Sequence, residues 1–417
     1  MGVDMQQTTR LRTFALPRMP SRLSEPPRIM LYSHDGFGLG HLRRNSLIAE
    51  HFVRQVPGAT ALMVVGSPTG AFFSLPAGVD AIKLPSIAKV ATGVWRPASL
   101  SLSFETVIAL RRSMLLEAAR HFRPHLLLAD YVPRGVHGEL LQTLEYLRSR
   151  PTPAKLVLGL RDILDRPEVT SSRWRDDGTY DAIDRYYDRV LFYGRREIFD
   201  TGLHYKLQGD GSRPSKARFC GYVCASGSRQ SRDQIRRELR LRADKLVLVT
   251  VGGGRDGHLI LKAYLKALEL LGPSLSAESL VVTGPLMSAE NKAELRAQSE
   301  GLPVRILDTV TDSLGYLQAA DLVVTMAGYN TLTEAAHMGK RVVVVPRKGP
   351  SAEQQLRTRA FASLGLVRAI PPDQLSPDLL ARMLAEGLKA NPRPRPVLQA
   401  DGLGNVVREM KALLALE

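Results

Sequence analysis

Short runs of Val, Leu and Ile recur along the chain, and longer stretches with apolar residues every three or four positions separate them. RIMLYS (28–33), ATALMVVG (59–66), HLLLAD (125–130), AKLVLGL (154–160) and RVLFYG (189–194) predict strands, with DAIKLP a further strand between them. LRRNSLIAEHFVRQV and a segment around 103–122 have helical spacing. Near-continuous apolar strands alternating with helices predict a parallel sheet covered on both faces.

The series then breaks. LQGDGSRPSKARF (207–219) has Gly, Ser and Pro but no apolar period, and so predicts a loop. A second series follows: KLVLVTVGGG (245–254), SLVVTG (279–284), VRILD (304–308), DLVVT (321–325) and RVVVVP (341–346), each pair separated by a helical stretch. The expected fold class is therefore α/β, with two doubly wound, Rossmann-like parallel-sheet domains facing across a cleft. Residues 27–222 make the first domain and 223–396 the second. Residues 1–26 carry Arg10, Arg12, Arg18 and Arg22 against Asp4 and Glu25, and read as a disordered extension. The Pro-rich NPRPRP (391–396) precedes a final amphipathic helix within 397–417, expected to pack back onto the first domain.

Composition changes this picture little. At 417 residues the chain is long enough for two cores. Its net charge of +16 is carried by scattered Arg rather than one dense block, which suits a solvated surface, a phosphorylated ligand or an anionic membrane leaflet. Cys220 and Cys224 lack partners at metal-site spacing and read as reduced structural thiols in a cytoplasmic setting. No uninterrupted apolar run is long enough for a membrane span.

Candidate chemistry sits where strands end. In YSHDGFGLGHLRRN, Gly36, Gly38 and Gly40 precede His41 at a helix start. The third glycine comes one residue too early for a dinucleotide fingerprint, and no acidic residue ends the second strand, so a nicotinamide site is not expected. At the positive end of a helix dipole a neutral His41 is suited to accept a proton, although the glycines alone are explained by a tight turn. In the second domain Gly252, Gly253, Gly254 and Arg255 precede a helix, where backbone N–H groups and a guanidinium can meet phosphate. Gly328 opens MAGYNTLTEAAHMG, in which Thr331 and Glu334 fit a capping box; Ser351 and Gln354 fit a second. The same residues lie at a helix N-terminus that can take phosphate, with a carboxylate for sugar hydroxyls, and Gln354 and Gln355 could bond further hydroxyls.

The segment MAGYNTLTEAAHMGKRVVVVPRKGPSAEQQLRTRAFASLGL resembles the C-terminal nucleotide-sugar motif of glycosyltransferase family 28, whose best-known member is the MurG-type N-acetylglucosaminyltransferase. SHDGFGLGHLRR is similar to that family's N-terminal glycine loop, and more narrowly to a group of bacterial predicted glycosyltransferases; FCGYVCA (219–225) resembles the interdomain segment. The resemblance implies a GT-B fold, with acceptor on the first domain and nucleotide-sugar, UDP-linked by analogy, on the second. It implies His41 as catalytic base, with Gly38, Gly40 and Asp130 on the acceptor side. Glu334 would hold the ribose, Thr331 and the Gly252–Arg255 loop the diphosphate, and Gln354 and Gln355 the donor sugar. Gly328 and Asn330 complete the donor set, Asn330 and Tyr329 standing where the family has small or apolar residues.

The expected reaction is an inverting, metal-independent glycosyl transfer needing no cofactor beyond the donor substrate, with a glycan, lipid-linked or small-molecule acceptor. A cytoplasmic enzyme with peripheral contact at the anionic inner membrane face fits the charge, and LPSIAKVATGVWRP (84–97) is the segment suited to that contact. Two alternatives stand beside it. A non-hydrolysing UDP-sugar 2-epimerase would use carboxylates such as Asp130 and Asp162. A basic nucleic-acid-binding scaffold has the charge in its favour, but no recognition motif supports it and no nucleic-acid partner is expected.

Overall fold

The computed structural model describes residues 25–34, 40–67, 75–91, 94–208, 215–225, 227–272, 275–389 and 397–416. Residues 1–24 of the predicted extension 1–26, Gly36, Gly38 and the Pro-rich 391–396 lie outside them.

In the first domain the chain runs β1 (Arg28–Ser33), α1 (Gly40–Gln55), β2 (Thr60–Val65), β3 (Val79–Lys83), β4 (Ile87–Ala91), β5 (Val94–Pro97), α2 (Phe104–Phe122), β6 (Leu126–Asp130) and α3 (Leu141–Ser149). It continues through β7 (Lys155–Arg161), α4 (Pro167–Asp176), α5 (Thr179–Tyr186), β8 (Arg189–Tyr193), α6 (Thr201–His204) and β9 (Ala217–Phe219). The second domain has α7 (Arg232–Glu238), β10 (Leu246–Thr250), α8 (His258–Leu271), β11 (Glu278–Val282), α9 (Ala289–Gln298), β12 (Val304–Leu307), α10 (Ser313–Ala319) and β13 (Leu322–Thr325). Then come α11 (Tyr329–His337), β14 (Arg341–Val344), α12 (Glu353–Ser363), β15 (Arg368–Ala369), α13 (Pro377–Lys389) and α14 (Gly402–Leu413).

Seven strands in the order β3-β2-β1-β6-β7-β8-β9 and six in the order β12-β11-β10-β13-β14-β15 form the two sheets. Their pairs are parallel throughout. In each sheet the chain starts centrally, winds to one edge, then crosses back, so the strand order reverses between β1 and β6 and between β10 and β13. Ligands of such sheets bind beyond the carboxyl ends of the strands at that reversal. Register places Ser33 beside Asp130, and Thr250 beside Thr325, at the two reversal points.

Two segments differ from the sequence expectation. The stretch 207–219 ends in β9, which pairs with β8, because Ala217–Phe219 completes the sheet edge beside Val190–Phe192. The stretch 84–97 folds back on itself as the antiparallel β4–β5 hairpin.

One apolar core runs through both domains. It joins Leu42, Ile48 and Phe52 of α1 to Tyr222 and Val223 of the connecting segment and to Leu332, Phe361, Val406 and Met410. Burying such a side chain is worth about 1.5–3 kcal/mol, so the joint is a cohesive element and not a bare hinge. The last helix α14 lies on the first domain: Asn405 Nδ2 donates to Cys220 O at 2.7 Å, the Gly402 amide donates to Tyr222 O at 3.1 Å, and Glu409 pairs with Arg189 at 3.2 Å. Cys220 and Cys224 are free and buried, and burial pushes both thiols up to about 12. Among the described residues no helix is long and apolar enough to cross a membrane.

Candidate active site

Three neighbouring strand ends build the first half of the site. β1 runs out into His34, β6 ends on Asp130 followed by Tyr131, and β7 ends on Arg161 followed by Asp162. Helix α1 starts opposite them and presents His41 on its first turn. His41 Nδ1 lies 3.0 Å from Asp130 Oδ2. Arg44, one turn further along α1, places Nη2 2.8 and 2.7 Å from the two Asp130 oxygens. Burial works to raise the Asp130 carboxyl, but Arg44 and then His41 outweigh it and bring it down to about 2. A permanent carboxylate at Nδ1 favours the tautomer with Nδ1–H toward Asp130, which leaves Nε2 as the basic atom.

Aromatic rings wall this dyad. His34 and Tyr131 have ring centroids 5.2 and 5.3 Å from that of His41, and Trp95 of the β4–β5 hairpin lies 6.2 Å from His34. Burial, then the proximity of His41, holds His34 well below the usual imidazole range, so it stays uncharged. Tyr131 adopts φ +74°, a conformation costly for a residue with a side chain. That backbone turns its ring between His34 and the Arg161 guanidinium, which lies 4.8 Å from the ring centroid.

The second half comes from the loops after β10, β13 and β14. Helix α11 begins at Tyr329, with Gly328 as N-cap at φ −65°, ψ 138°. The capping box expected at Thr331 and Glu334 therefore does not form. Thr331 is the third helical residue, and Gly328 contributes no side-chain cap for the first-turn N–H groups. Space beside Gly328 is open: a Cβ there would meet no atom within 4 Å. The box expected at Ser351 and Gln354 is also absent. Ser351 Oγ accepts from the Glu353 amide at 3.2 Å, while Gln354 accepts from the Arg347 amide at 3.0 Å. Gln355 donates to Lys348 O at 3.0 Å, so both glutamines brace the 347–350 loop from within.

The glycine loop precedes α8 by several residues rather than opening it, and Gly257 is the N-cap. Gly252 and Gly254 take φ +64° and +94°, and a Cβ on Gly254 would lie 2.1 Å from Thr283 O. Only glycine fits where the loop crosses the end of β11. Gly252 and Arg255 are exposed and Gly253 half-buried.

The halves touch through several of the residues singled out by the sequence. Arg43 Nη2 lies 2.9 Å from Glu334 Oε1, and Glu334 is buried at 2% exposure. Burial raises the Glu334 carboxyl, more than Arg43 lowers it. Asn330 Nδ2 donates to Gly40 O at 3.2 Å, and the Tyr329 hydroxyl donates to Tyr193 O at 2.8 Å while accepting from the Val223 amide at 2.9 Å. Asn330 and Tyr329 are thus bolts between domains, which accounts for their departure from small or apolar residues. Deeper in the joint, Arg357 of α12 pairs with Asp162 at 2.6 Å and with Glu353 at 2.9 Å, and Glu353 also takes Arg161 at 2.6 Å. Sequence reasoning had not singled out Arg43, Arg44, Tyr131, Arg161 or Arg357. The arginine pair following His41 was visible, but its partners lie 86 and more residues away.

Residues 246–408 match the glycosyltransferase family 28 C-terminal domain. An uncharacterized glycosyltransferase of Methanopyrus kandleri is 28% identical over 158 residues, 38% of this chain and 42% of the relative. The UDP-N-acetylglucosamine–N-acetylmuramyl-(pentapeptide) pyrophosphoryl-undecaprenol N-acetylglucosamine transferase of Alkaliphilus oremlandii is 29% identical over 273 residues, 64% of this chain and 66% of the relative. The chain thus spans less than two thirds of the curated relatives it matches. Among solved structures, Acinetobacter baumannii MurG superposes with TM-score 0.52 at 16% identity, covering 93% of this chain and 100% of that one. The calicheamicin glycosyltransferase CalG4 gives 0.58 at 12%, covering 94% and 99%. A Listeria monocytogenes protein assigned as a UDP-N-acetylglucosamine 2-epimerase gives 0.62 at 11%, covering 93% and 96%. These likenesses establish the shared two-sheet GT-B fold, and the second domain is similar to the glycosyltransferase family 28 C-terminal domain over residues 246–408.

Proposed function

We propose that this protein transfers a sugar from a nucleoside diphosphate, uridine diphosphate in the first instance, to a hydroxyl acceptor, with inversion and without a metal ion. The observation that carries the reading is the His41–Asp130 pair at the reversal point of the first sheet, set against the uncapped start of α11 in the second. The contact between Asn330 and Gly40 puts the two helix starts side by side.

In this reading His41 Nε2 takes the proton of an acceptor hydroxyl as its oxygen bonds to the anomeric carbon. The bond from that carbon to the phosphate oxygen breaks, and the nucleoside diphosphate leaves with the electron pair. First-turn N–H groups of α11 and the Gly252–Arg255 loop are suited to the charge on the leaving group. Glu334 reaches the ribose once Arg43 yields. Asp130 remains ionised and orients the base, as a buried carboxylate does for a catalytic imidazole. The name of the Alkaliphilus relative makes UDP-N-acetylglucosamine the first donor to try.

An epimerase needs carboxylates free for elimination. Here Asp130 is held by Arg44 and His41, and Asp162 by Arg357, which favours transfer. A lipid-linked acceptor at the inner membrane face is the acceptor class we favour, because Leu100 and Leu102 are 45% and 49% exposed beside Arg96 and the β4–β5 hairpin.

The test is incubation of purified protein with nucleotide-sugars, with and without hydroxyl acceptors, in EDTA. Acceptor-dependent release of nucleoside diphosphate that falls at least a hundredfold in His41→Ala supports the reading. Epimerised sugar formed from UDP-N-acetylglucosamine alone overturns it. Anionic liposomes that fail to float the protein would remove the membrane-linked acceptor.

A further inference from the structure

Beside the His41–Asp130 dyad lies a buried guanidinium that the transfer reaction does not itself use. Arg44 is 1% exposed, and its Nη2 lies 2.9 Å from His41 Nδ1 as well as against both oxygens of Asp130. The guanidinium is stacked between the ring of Tyr193 from β8, at 5.3 Å, and that of Tyr329 from the other domain, at 5.5 Å. Tyr329 is itself pinned by its two hydroxyl hydrogen bonds, so Arg44 has one place to be.

Charge counting gives this placement a role. A buried carboxylate beside an imidazole, with nothing else nearby, favours the imidazolium, because the pair is then neutral. An imidazolium has no lone pair with which to take a proton. Arg44 already neutralises Asp130, so a further proton on His41 would leave a net positive charge in a buried site. The other groups around the ring do not alter that count. His34, on the β1 side, is uncharged, and Tyr131, after β6, meets His41 ring to ring at 5.3 Å. Arg161 lies on the far face of Tyr131 and is paired with Glu353, and Arg43 on α1 is paired with Glu334. Tyr193 and Tyr329 are held neutral by burial.

We propose that Arg44 is a positioning residue for transfer: it locks the Asp130 carboxylate against His41 and keeps the imidazole neutral until the acceptor hydroxyl delivers its proton. The inference rests on the glycosyl-transfer reading for its catalytic meaning, and on the geometry of the Arg44–Asp130–His41 cluster for its physical content.

Two readouts on the full-length protein test it: the pH profile of kcat/KM for the acceptor, and the titration of His41 by NMR of ¹⁵N-histidine-labelled protein, assigned with His41→Ala. In Arg44→Met the acidic limb and the His41 titration should both move to higher pH by about one unit or more. The rate deficit, at least tenfold near pH 7, should shrink above pH 8.5. Asp130→Asn should move both to lower pH, because it leaves Arg44 unopposed. Asp130→Asn combined with Arg44→Met should bring them back toward the wild-type position. Should Arg44→Met fail to fold, the step from the single Asp130→Asn protein to the double variant measures the same charge effect without leaving a buried carboxylate unpaired. A deficit of equal size at every pH, or a His41 titration that Arg44 does not move in either background, overturns the proposal. The NMR titration needs no substrate. A titration that moves as stated in a protein without transferase activity would uphold the Arg44 cluster and discard the reaction.

Discussion

Replacing Arg357 should loosen the joint between the domains before it affects either sheet. The guanidinium is fully buried and donates to Asp162 Oδ1 at 2.6 Å, to Asp162 Oδ2 at 3.0 Å, to Glu353 Oε1 at 2.9 Å and to Ala327 O at 2.9 Å. In Arg357→Met, Glu353 keeps Arg161, but Asp162, 1% exposed, loses its only ion-pair partner among the described residues. Removing one member of a buried pair costs about 3–5 kcal/mol, because the other charge is left without solvent or partner. Met fills much of the vacated volume, so the expected cost is chiefly electrostatic. Arg357→Met with Asp162→Asn should then recover about 2–3 kcal/mol of that loss, a coupling expected for groups in direct contact. Equilibrium urea unfolding provides the assay with two probes. Trp95 and Trp174 both belong to the first domain, so fluorescence reports that domain while far-UV circular dichroism reports both. The wild-type transitions should coincide, and those of Arg357→Met should separate. A single variant within about 1 kcal/mol of wild type, or a double variant whose loss is the sum of the two singles, would refute the reasoning.

Further expectations follow from other parts of the site. Because burial raises the Glu334 carboxyl in the folded state, the unfolded chain gives up that proton first as pH rises, so Glu334 stabilises below its unfolded value near 4.5 and ceases to do so as pH climbs through its folded value. The stability of wild type relative to Glu334→Gln should therefore fall as pH rises above about 4.5 in urea titrations; a flat or rising difference would contradict this. Gly254→Ala should raise the donor KM about tenfold or more, since the new Cβ must displace the loop from Thr283 O, and an unchanged KM would remove the loop from the donor site. Cys220 and Cys224, with thiols pushed up to about 12, should resist dithionitrobenzoate at pH 8 in folded protein and react at the rate of unfolding in urea; fast labelling of either would contradict their burial.

The sheets were legible because their strands are buried on both faces, and uniform burial writes itself as uniform Val, Leu and Ile. The site was legible only in part. His41, Gly254 and the N-terminus of α11 follow local rules of turn and helix start. Thr331 and Glu334 obeyed the letter of a capping box, yet the helix begins three residues earlier because Gly328 can serve as its cap. Glu334 Oε1 is taken by Arg43, 291 positions away, a distance at which no periodicity carries a signal. The same holds for Arg44 with Asp130 and for Arg357 with Asp162. On a basic chain these three arginines look like solvated surface until the fold brings each its carboxylate.

The return of α14 to the first domain has a consequence for anyone exchanging donor specificities by grafting domains. A cut at the connecting segment near residue 222 gives two pieces that are contiguous in sequence but not in space. The piece carrying the donor loops would bring along a helix whose partners, Cys220, Tyr222 and Arg189, stay behind. These contacts argue for moving 223–389 alone and keeping 397–416 with the first domain. The cassette must also retain Tyr329, Asn330 and Arg357, whatever the sugar it is chosen to bind.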